Sequence, residues 1–218
     1  MEIKLVKDIL AANEVIAAQN KELFAAKRVY VINLMGGAGA GKTTLLERTI
    51  DRLKGKRHMA VIEGDIATSR DAERIAAHGI PAVQINTGGE CHLDGNMVRG
   101  GIGQMDLAGI DLLIVENVGN LVCPAEFNIG EDAKVMVCSV AEGDDKPLKY
   151  PLMFQVSSAL LLNKMDLLPH VAFDVERFRA DALKVNPRLE IIPLSCMTGE
   201  GLDGWLRWLE ERSHTKGA

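Results

Sequence analysis

The sequence predicts an α/β fold, a mostly parallel, twisted sheet of about seven strands flanked by helices in a three-layer arrangement. Short runs rich in Val and Ile alternate along the chain with segments of helical period, the order that βαβ units impose. Composition agrees: 47% of residues are apolar but only 4% are aromatic, so the core must be mainly Val, Ile, Leu, Ala and Met, which suits strands covered on both faces. The first of these runs also leads through a glycine-rich turn into a helical segment. At 218 residues one domain with a sizeable core is expected, with residues 1–27 as an amphipathic helix packed on residues 28–218.

Residues 3–25 place Val6, Ile9, Leu10, Ile16, Leu23 and Phe24 near the helical period with charges between them, giving a helix expected to cover the domain's flank. Glu2, Lys4, Lys7, Asp8 and Glu14 interrupt this stretch, so it reads as neither a signal peptide nor a membrane span, and a cytoplasmic protein is expected. Residues 29–35 form the first buried strand, 42–53 the first crossover helix and 59–63 the second strand. Further strands are expected at 82–86, 110–116, 134–140, 159–163 and 189–194. Residues 142–147 read as a polar loop. Functional groups of such a sheet gather at the carboxyl ends of its strands. A net charge of −5, with 54–57 as the one basic cluster, argues against a nucleic-acid partner. Four cysteines without a signal segment point to reduced thiols, available for packing or metal.

Gly36-Gly37-Ala38-Gly39-Ala40-Gly41-Lys42-Thr43-Thr44 fills the phosphate-loop pattern between the first strand and the first helix, which predicts the P-loop NTPase fold. Its glycines let successive N–H groups point inward, and the helix N-terminus adds its dipole, so the loop forms an anion nest. Lys42 is expected to reach the β and γ phosphates, and the Thr43 hydroxyl to ligate Mg²⁺. Asn163-Lys164-Met165-Asp166 ends another strand. There the Asp166 carboxylate can accept from two adjacent donors on a guanine edge, with Asn163 and Lys164 bracing the loop. Ser195-Cys196-Met197-Thr198-Gly199 follows the next strand, and Ser195 and Cys196 join the expected base site.

Other strand ends carry acids. Glu116 stands where a GTPase commonly holds Mg²⁺, and Gly119 follows as a sensor of the γ-phosphate. Asp65 and Asp71 are candidates to orient the attacking water or touch Mg²⁺, although an Asp in a first helical turn, as Asp71 is, often serves the helix alone. No Gln adjoins the Glu116 loop glycine, so a Ras-type water-positioning Gln is not expected. A P-loop kinase passing phosphate to a small acceptor is the rival from another class. Soft ligands occupy two further loops: Cys91 and His92 after the third strand, and Cys123 after the fourth. Two thiolates and an imidazole suit Ni²⁺ or Zn²⁺ but not Mg²⁺. Three are too few for a closed zinc site, so another group completes the set or the ion is bound for release, and a two-fold dimer could bring two sets together. Cys138, in an apolar strand, reads as a buried small hydrophobe.

Taken together, the phosphate loop, Glu63-Gly64-Asp65, residues 88–94 with Cys91-His92-Leu93-Asp94, residues 116–124, residues 142–151 and Asn163–Asp166 resemble the HypB family of nickel-insertion GTPases of hydrogenase maturation. The likeness covers nearly the whole domain. It implies a slow GTPase that forms a homodimer and holds Ni²⁺ or Zn²⁺ with Cys91, His92 and Cys123, using GTP or GDP occupancy to control delivery to a hydrogenase large-subunit precursor. A small zinc-bearing partner, HypA, is implied as well. Lys146 and Lys149 then become candidate contacts to the nucleotide across the dimer. Two departures stand out. Some members carry an extra Cys- or His-rich N-terminal nickel site, and residues 1–27 contain neither residue type. Gly95, Gly100, Gly101 and Gly103 fall where helix formers belong, each costing roughly 1 kcal/mol against Ala, so an irregular segment is expected there. The urease-type nickel-insertion GTPase is the nearest rival, but its Cys-Pro-His motif is here Cys123-Pro124-Ala125.

Overall fold

The structure, a computed structural model, describes residues 4–65 and 70–213, and the side chains of residues 9–65 and 71–213. Seven strands form one sheet: β1 (Tyr30–Gly36), β2 (Met59–Asp65), β3 (Ala82–Asn86), β4 (Leu112–Glu116), β5 (Ala133–Ser139), β6 (Ala159–Asn163) and β7 (Glu190–Pro193). Their order is β3-β2-β4-β1-β5-β6-β7, and every pairing is parallel. β1 lies between β4 and β5, so the loop leaving β1 opens beside the loops leaving those two strands, where ligands of open α/β sheets bind.

Burial follows from this layering. β1, β4, β5 and β6 are buried along their whole length, as strands with helices on both faces must be. One face packs on α2 (Lys42–Leu53), α3 (Arg70–Ala77) and α9 (Leu202–Ser213). The other packs on α1 (Lys4–Lys27) and α4 (Gly95–Ile102) and, further along, on α5 (Cys123–Glu126), α7 (Pro151–Val156) and α8 (Val175–Val185). The segment expected as a loop at 142–147 contains the end of a 3₁₀ turn, Val140–Glu142, and the start of α6 (Lys146–Lys149). No helix among the described residues is long and apolar enough to cross a membrane.

Two elements depart from expectation, and for one reason. The inner face of α1 is not the apolar stripe: Ile9 is 55% exposed, Leu10, Ile16 and Leu23 are half-buried, and Val6 lies outside the described side chains. Of the expected stripe only Phe24 is fully buried among the described side chains, and Asn13, Ala17 and Asn20 are buried with it. Their amides meet backbone, with Asn13 Oδ1 accepting from Gly95 N at 2.7 Å and Asn20 Nδ2 donating to Gly95 O at 2.8 Å. The glycine-rich segment, expected to be irregular, is the regular helix α4, its N-terminus capped by Asp94 accepting from Met97 N at 2.7 Å. A Cβ on Gly95 would sit 3.1 Å from Asn13 Oδ1, and one on Gly101 would sit 3.0 Å from Ile85 Cδ1. Helix propensity is given up so that α4 can approach both α1 and the sheet closely.

Candidate functional site

The phosphate loop runs from the end of β1 into α2, with Gly39 and Gly41 in the left-handed region at φ +75° and +102°. Lys42 is 6% exposed and folds back along the loop, its Nζ 3.3 Å from both Gly36 O and Gly37 O. Thr43 Oγ1 donates to Glu116 Oε1 at 3.0 Å. These groups open onto a cavity of about 420 Å³ lined by Ala38, Thr44, Glu63, Asp65, Asp71 and Arg74 among others.

Two of those lining residues, Glu63 and Arg74, were not singled out as functional from the sequence. Glu63 lies directly across from Glu116 in the β2–β4 register, and both are buried. Burial drives the Glu63 carboxyl far above the carboxylate range, and the neighbouring Glu116 raises it further. Burial also raises Glu116, against the lowering pull of Lys42 and Thr43. Glu63 Oε1 and Glu116 Oε2 have no hydrogen-bond partner. Buried oxygens of this kind fit a cation or its bound water, so the donor set of Thr43 and Glu116 suits Mg²⁺. Asp65 and Asp71 line the same cavity, yet among the described residues no three carboxylates there bring their oxygens within 4.8 Å of one another. Arg74 pairs with Glu47 at 2.6 Å and Asp71 at 2.9 Å, and these acids, Glu47 first, hold its guanidinium charged. The sequence carried part of the Glu63 signal, since Glu63 and Asp65 alternate onto one strand face, but the pairing with Glu116 follows only from the register. Arg74 carried no such signal.

A second cavity, of about 330 Å³, adjoins through Gly41 and Thr44 and is lined by Arg48, Asn163, Lys164, Asp166, Leu167, Cys196 and Met197. Asn163 Nδ2 donates to Ala40 O at 2.9 Å, while its Oδ1 accepts from Lys164 N at 2.7 Å and Cys196 N at 3.1 Å. Lys164 reaches across to Gly39 O at 2.7 Å. Ser195 donates to Asp166 Oδ1 at 2.5 Å and accepts from Met197 N and Thr198 N. Burial pushes the Cys196 thiol up to about 11. Lys146 and Lys149 line neither cavity: Lys149 pairs with Asp145 at 2.5 Å and Lys146 lies over the Tyr150 ring.

The soft ligands do converge. Cys91 Sγ lies 2.8 Å from Cys123 Sγ and 3.8 Å from His92 Nδ1. Among the described residues, Cys91, His92 and Cys123 are the one group of three or more His, Cys, Asp or Glu with ligand atoms all within 4.8 Å of one another. All three are half-buried. Burial lowers His92, favouring the neutral imidazole that a metal needs, and the Cys91 thiol raises Cys123. The His92 ring packs tilted against Phe127, with ring centroids 3.9 Å apart and planes at 32°. Asn120 joins the two loops, donating to Cys91 O at 3.4 Å and accepting from Val122 N at 2.8 Å. It also forms an isolated bridge with Gly36 of the phosphate loop. Gly119 packs so closely that a Cβ there would sit 2.9 Å from Ala38 Cα. Cys138 is buried, as expected of a packing residue.

Residues 30–193 match the family described as CobW/HypB/UreG, nucleotide-binding domain. The hydrogenase maturation factor HypB of Azotobacter vinelandii is 51% identical over 98% of this chain and 71% of its own length. The chain belongs to the HypB family. The probable hydrogenase maturation factor HypB of Methanocaldococcus jannaschii is 41% identical, over 96% of this chain and 95% of that one. A crystal structure of HypB from Helicobacter pylori in complex with nickel superposes with a TM-score of 0.90 at 38% identity, covering 94% of this chain and 96% of that one. The HypB relatives therefore share the P-loop fold described above.

Proposed function

We propose that this protein is a GTP-hydrolysing metallochaperone that binds nickel, or zinc, at Cys91, His92 and Cys123. Its nucleotide state would control nickel delivery to a hydrogenase precursor. The observation that carries this reading is the loop at 116–124, which begins at Glu116 beside Thr43, backs Gly119 onto the phosphate loop, and reaches Cys123 seven residues later. Phosphate occupancy and thiolate geometry are properties of one short segment.

Lys42, released from the Gly36 and Gly37 carbonyls, meets the β and γ phosphates together with the loop N–H groups. Mg²⁺ held by Thr43 and Glu116, with Asp65 or Asp71, would neutralise charge on those phosphates. Asp166, fixed by Ser195, reads the guanine edge, and Asp65 or Asp71 orients the water. Loss of the γ-phosphate, which Gly119 senses, frees the loop at 116–124, and the Cys123 arm moves with it. Residues 28–218 form the GTPase domain on this reading, with the preceding helix as its cover. Three soft donors leave a coordination position for a fourth group, which suits a transferable ion and a homodimer that apposes two such sites. Lys149 is exposed and Lys146 half-buried, both away from this chain's own cavities, and on leaving Asp145 and the Tyr150 ring they would reach the partner's nucleotide. HypA and the hydrogenase large-subunit precursor are the partners in hand-off.

Size-resolved metal analysis with GDP and with a non-hydrolysable GTP analogue tests the reading directly. Nickel affinity and subunit number should differ between the two states, and equal affinities would remove the coupling. Inorganic phosphate as the product, with no phosphorylated acceptor, separates a GTPase from a kinase.

A further inference from the structure

Behind the metal ligands a seam of buried polar side chains crosses the apolar interior. Asn117, the residue after Glu116, accepts at Oδ1 from Leu93 N, one residue past His92, at 2.9 Å and donates to Asn33 Oδ1 at 3.1 Å. Asn33 Nδ2 lies 3.5 Å from Glu131 Oε1, which stands 3.6 Å from Lys134 Nζ. Glu131 also accepts from Ile129 N at 2.7 Å. Lys134 is the register partner of Asn33 in the sheet, and it donates to Ala125 O at 3.1 Å. That carbonyl belongs to α5, the turn that Cys123 opens. The seam therefore starts beside His92 and ends on the helix of Cys123.

Stability does not explain it. Asn33 and Asn117 are 0% and 1% exposed, and the side chains of Lys134 and Glu131 are 9% and 6% exposed. Taking an ammonium and a carboxylate out of water costs about as much as their attraction returns, whereas a fully connected polar chain fixes one geometry. Burial pulls the Lys134 ammonium down while Glu131 holds it up. On the same face of β1, Val31 and Met35 flank Asn33 and belong to different apolar clusters, so the seam runs where two pieces of core meet.

We propose that Asn33, Asn117, Glu131 and Lys134 are positioning residues for the metal site, setting from inside the domain the spacing of Cys123 from Cys91 and His92. Asn117 links that spacing to the loop that Glu116 begins. The inference rests on the reading of Cys91, His92 and Cys123 as nickel ligands.

The test uses the full chain and a double replacement, Glu131→Gln with Lys134→Met, which removes both charges together so that neither is left buried alone. Nickel affinity, followed by titration of the thiolate-to-nickel charge-transfer band, should fall about 10- to 100-fold with a shifted band, the usual effect of removing groups that orient metal ligands. GDP affinity should be unchanged. Asn33→Ala, cutting the seam at its middle, should act in the same direction. Wild-type nickel affinity and band shape in both variants would overturn the proposal. So would a parallel loss of GDP affinity in both, which would mark general structural support. Should the unaltered chain fail to bind nickel, or bind it equally well after Cys91→Ser with Cys123→Ser, the ligand assignment itself falls, a result distinct from failure of the seam.

Discussion

The two ends of the nucleotide cleft are built on opposite terms. At the base end, Asn163 is bonded to Ala40, Lys164 and Cys196, and Ser195 braces Asp166 while capping its own loop. At the phosphate end Lys42 is turned onto its own loop carbonyls, and Glu63 and Glu116 stand side by side with an unpartnered oxygen each. The first end is assembled for recognition. The second carries two buried acids that share a hydrogen bond with each other and still leave one oxygen each unanswered, a conflict that a cation would relieve, so change on binding should be concentrated there, next to the loop that carries Cys123.

The largest effect should come from the conflicted end. Lys42→Ala should lower GTP turnover by at least about 100-fold, the scale of losing one donor to transition-state charge, measured as phosphate release. Turnover within a factor of a few of wild type would show that Lys42 never leaves the loop carbonyls. At the assembled end, Asp166→Asn should cost GDP affinity about 10- to 100-fold, since a charge-assisted bond contributes about 1.5–3 kcal/mol, with little change in thermal stability. A large drop in Tm instead would mean that Asp166 serves the loop more than the base.

Glu63→Gln sharpens the contrast through pH. The folded-state value of Glu63 is raised from 4.5 to about 10, so the folded protein binds the extra proton and metal-free stability falls as pH climbs through that window. Removing the acid should therefore raise the Tm of the metal-free protein at pH 8, corresponding to about 1–3 kcal/mol, with the gain shrinking toward pH 5. A lower Tm at both pH values would show that the two carboxyls are not in conflict. The smallest effect should be that of Lys149→Ala on the isolated chain, because the Lys149–Asp145 pair is exposed. Tm should not move, while turnover at dimer-forming concentrations should drop if Lys149 reaches across to a second nucleotide.

Much of this was legible in the sequence because the relevant residues act through local pattern. Gly36–Thr44 and Asn163–Asp166 carry their chemistry in consecutive residues at strand ends, and strands such as 82–86 and 159–163 were bounded correctly by apolar runs between turn residues. Cys91, His92 and Cys123 were nominated by type, but their convergence depends on β3 and β4 delivering two loops to one rim, which spacing does not encode. Arg74, the Glu63–Glu116 pairing and the polar inner face of α1 were hidden because each depends on a neighbour distant in the chain. The glycines of α4 misled for the same reason: propensity counts their cost, and only the packed partners Asn13 and Ile85 reveal the gain.

The contact of α1 with α4 has a practical corollary. Asn13 and Asn20 answer peptide groups of Gly95, three residues beyond His92, and Asn20 also meets Ile129 O at 3.1 Å. A chain trimmed to begin at residue 28 would strip those groups of their donors and acceptors and open the interior beside the cysteine loops to water. Its defect should surface as sluggish, heterogeneous ion loading well before the nucleotide pocket is disturbed.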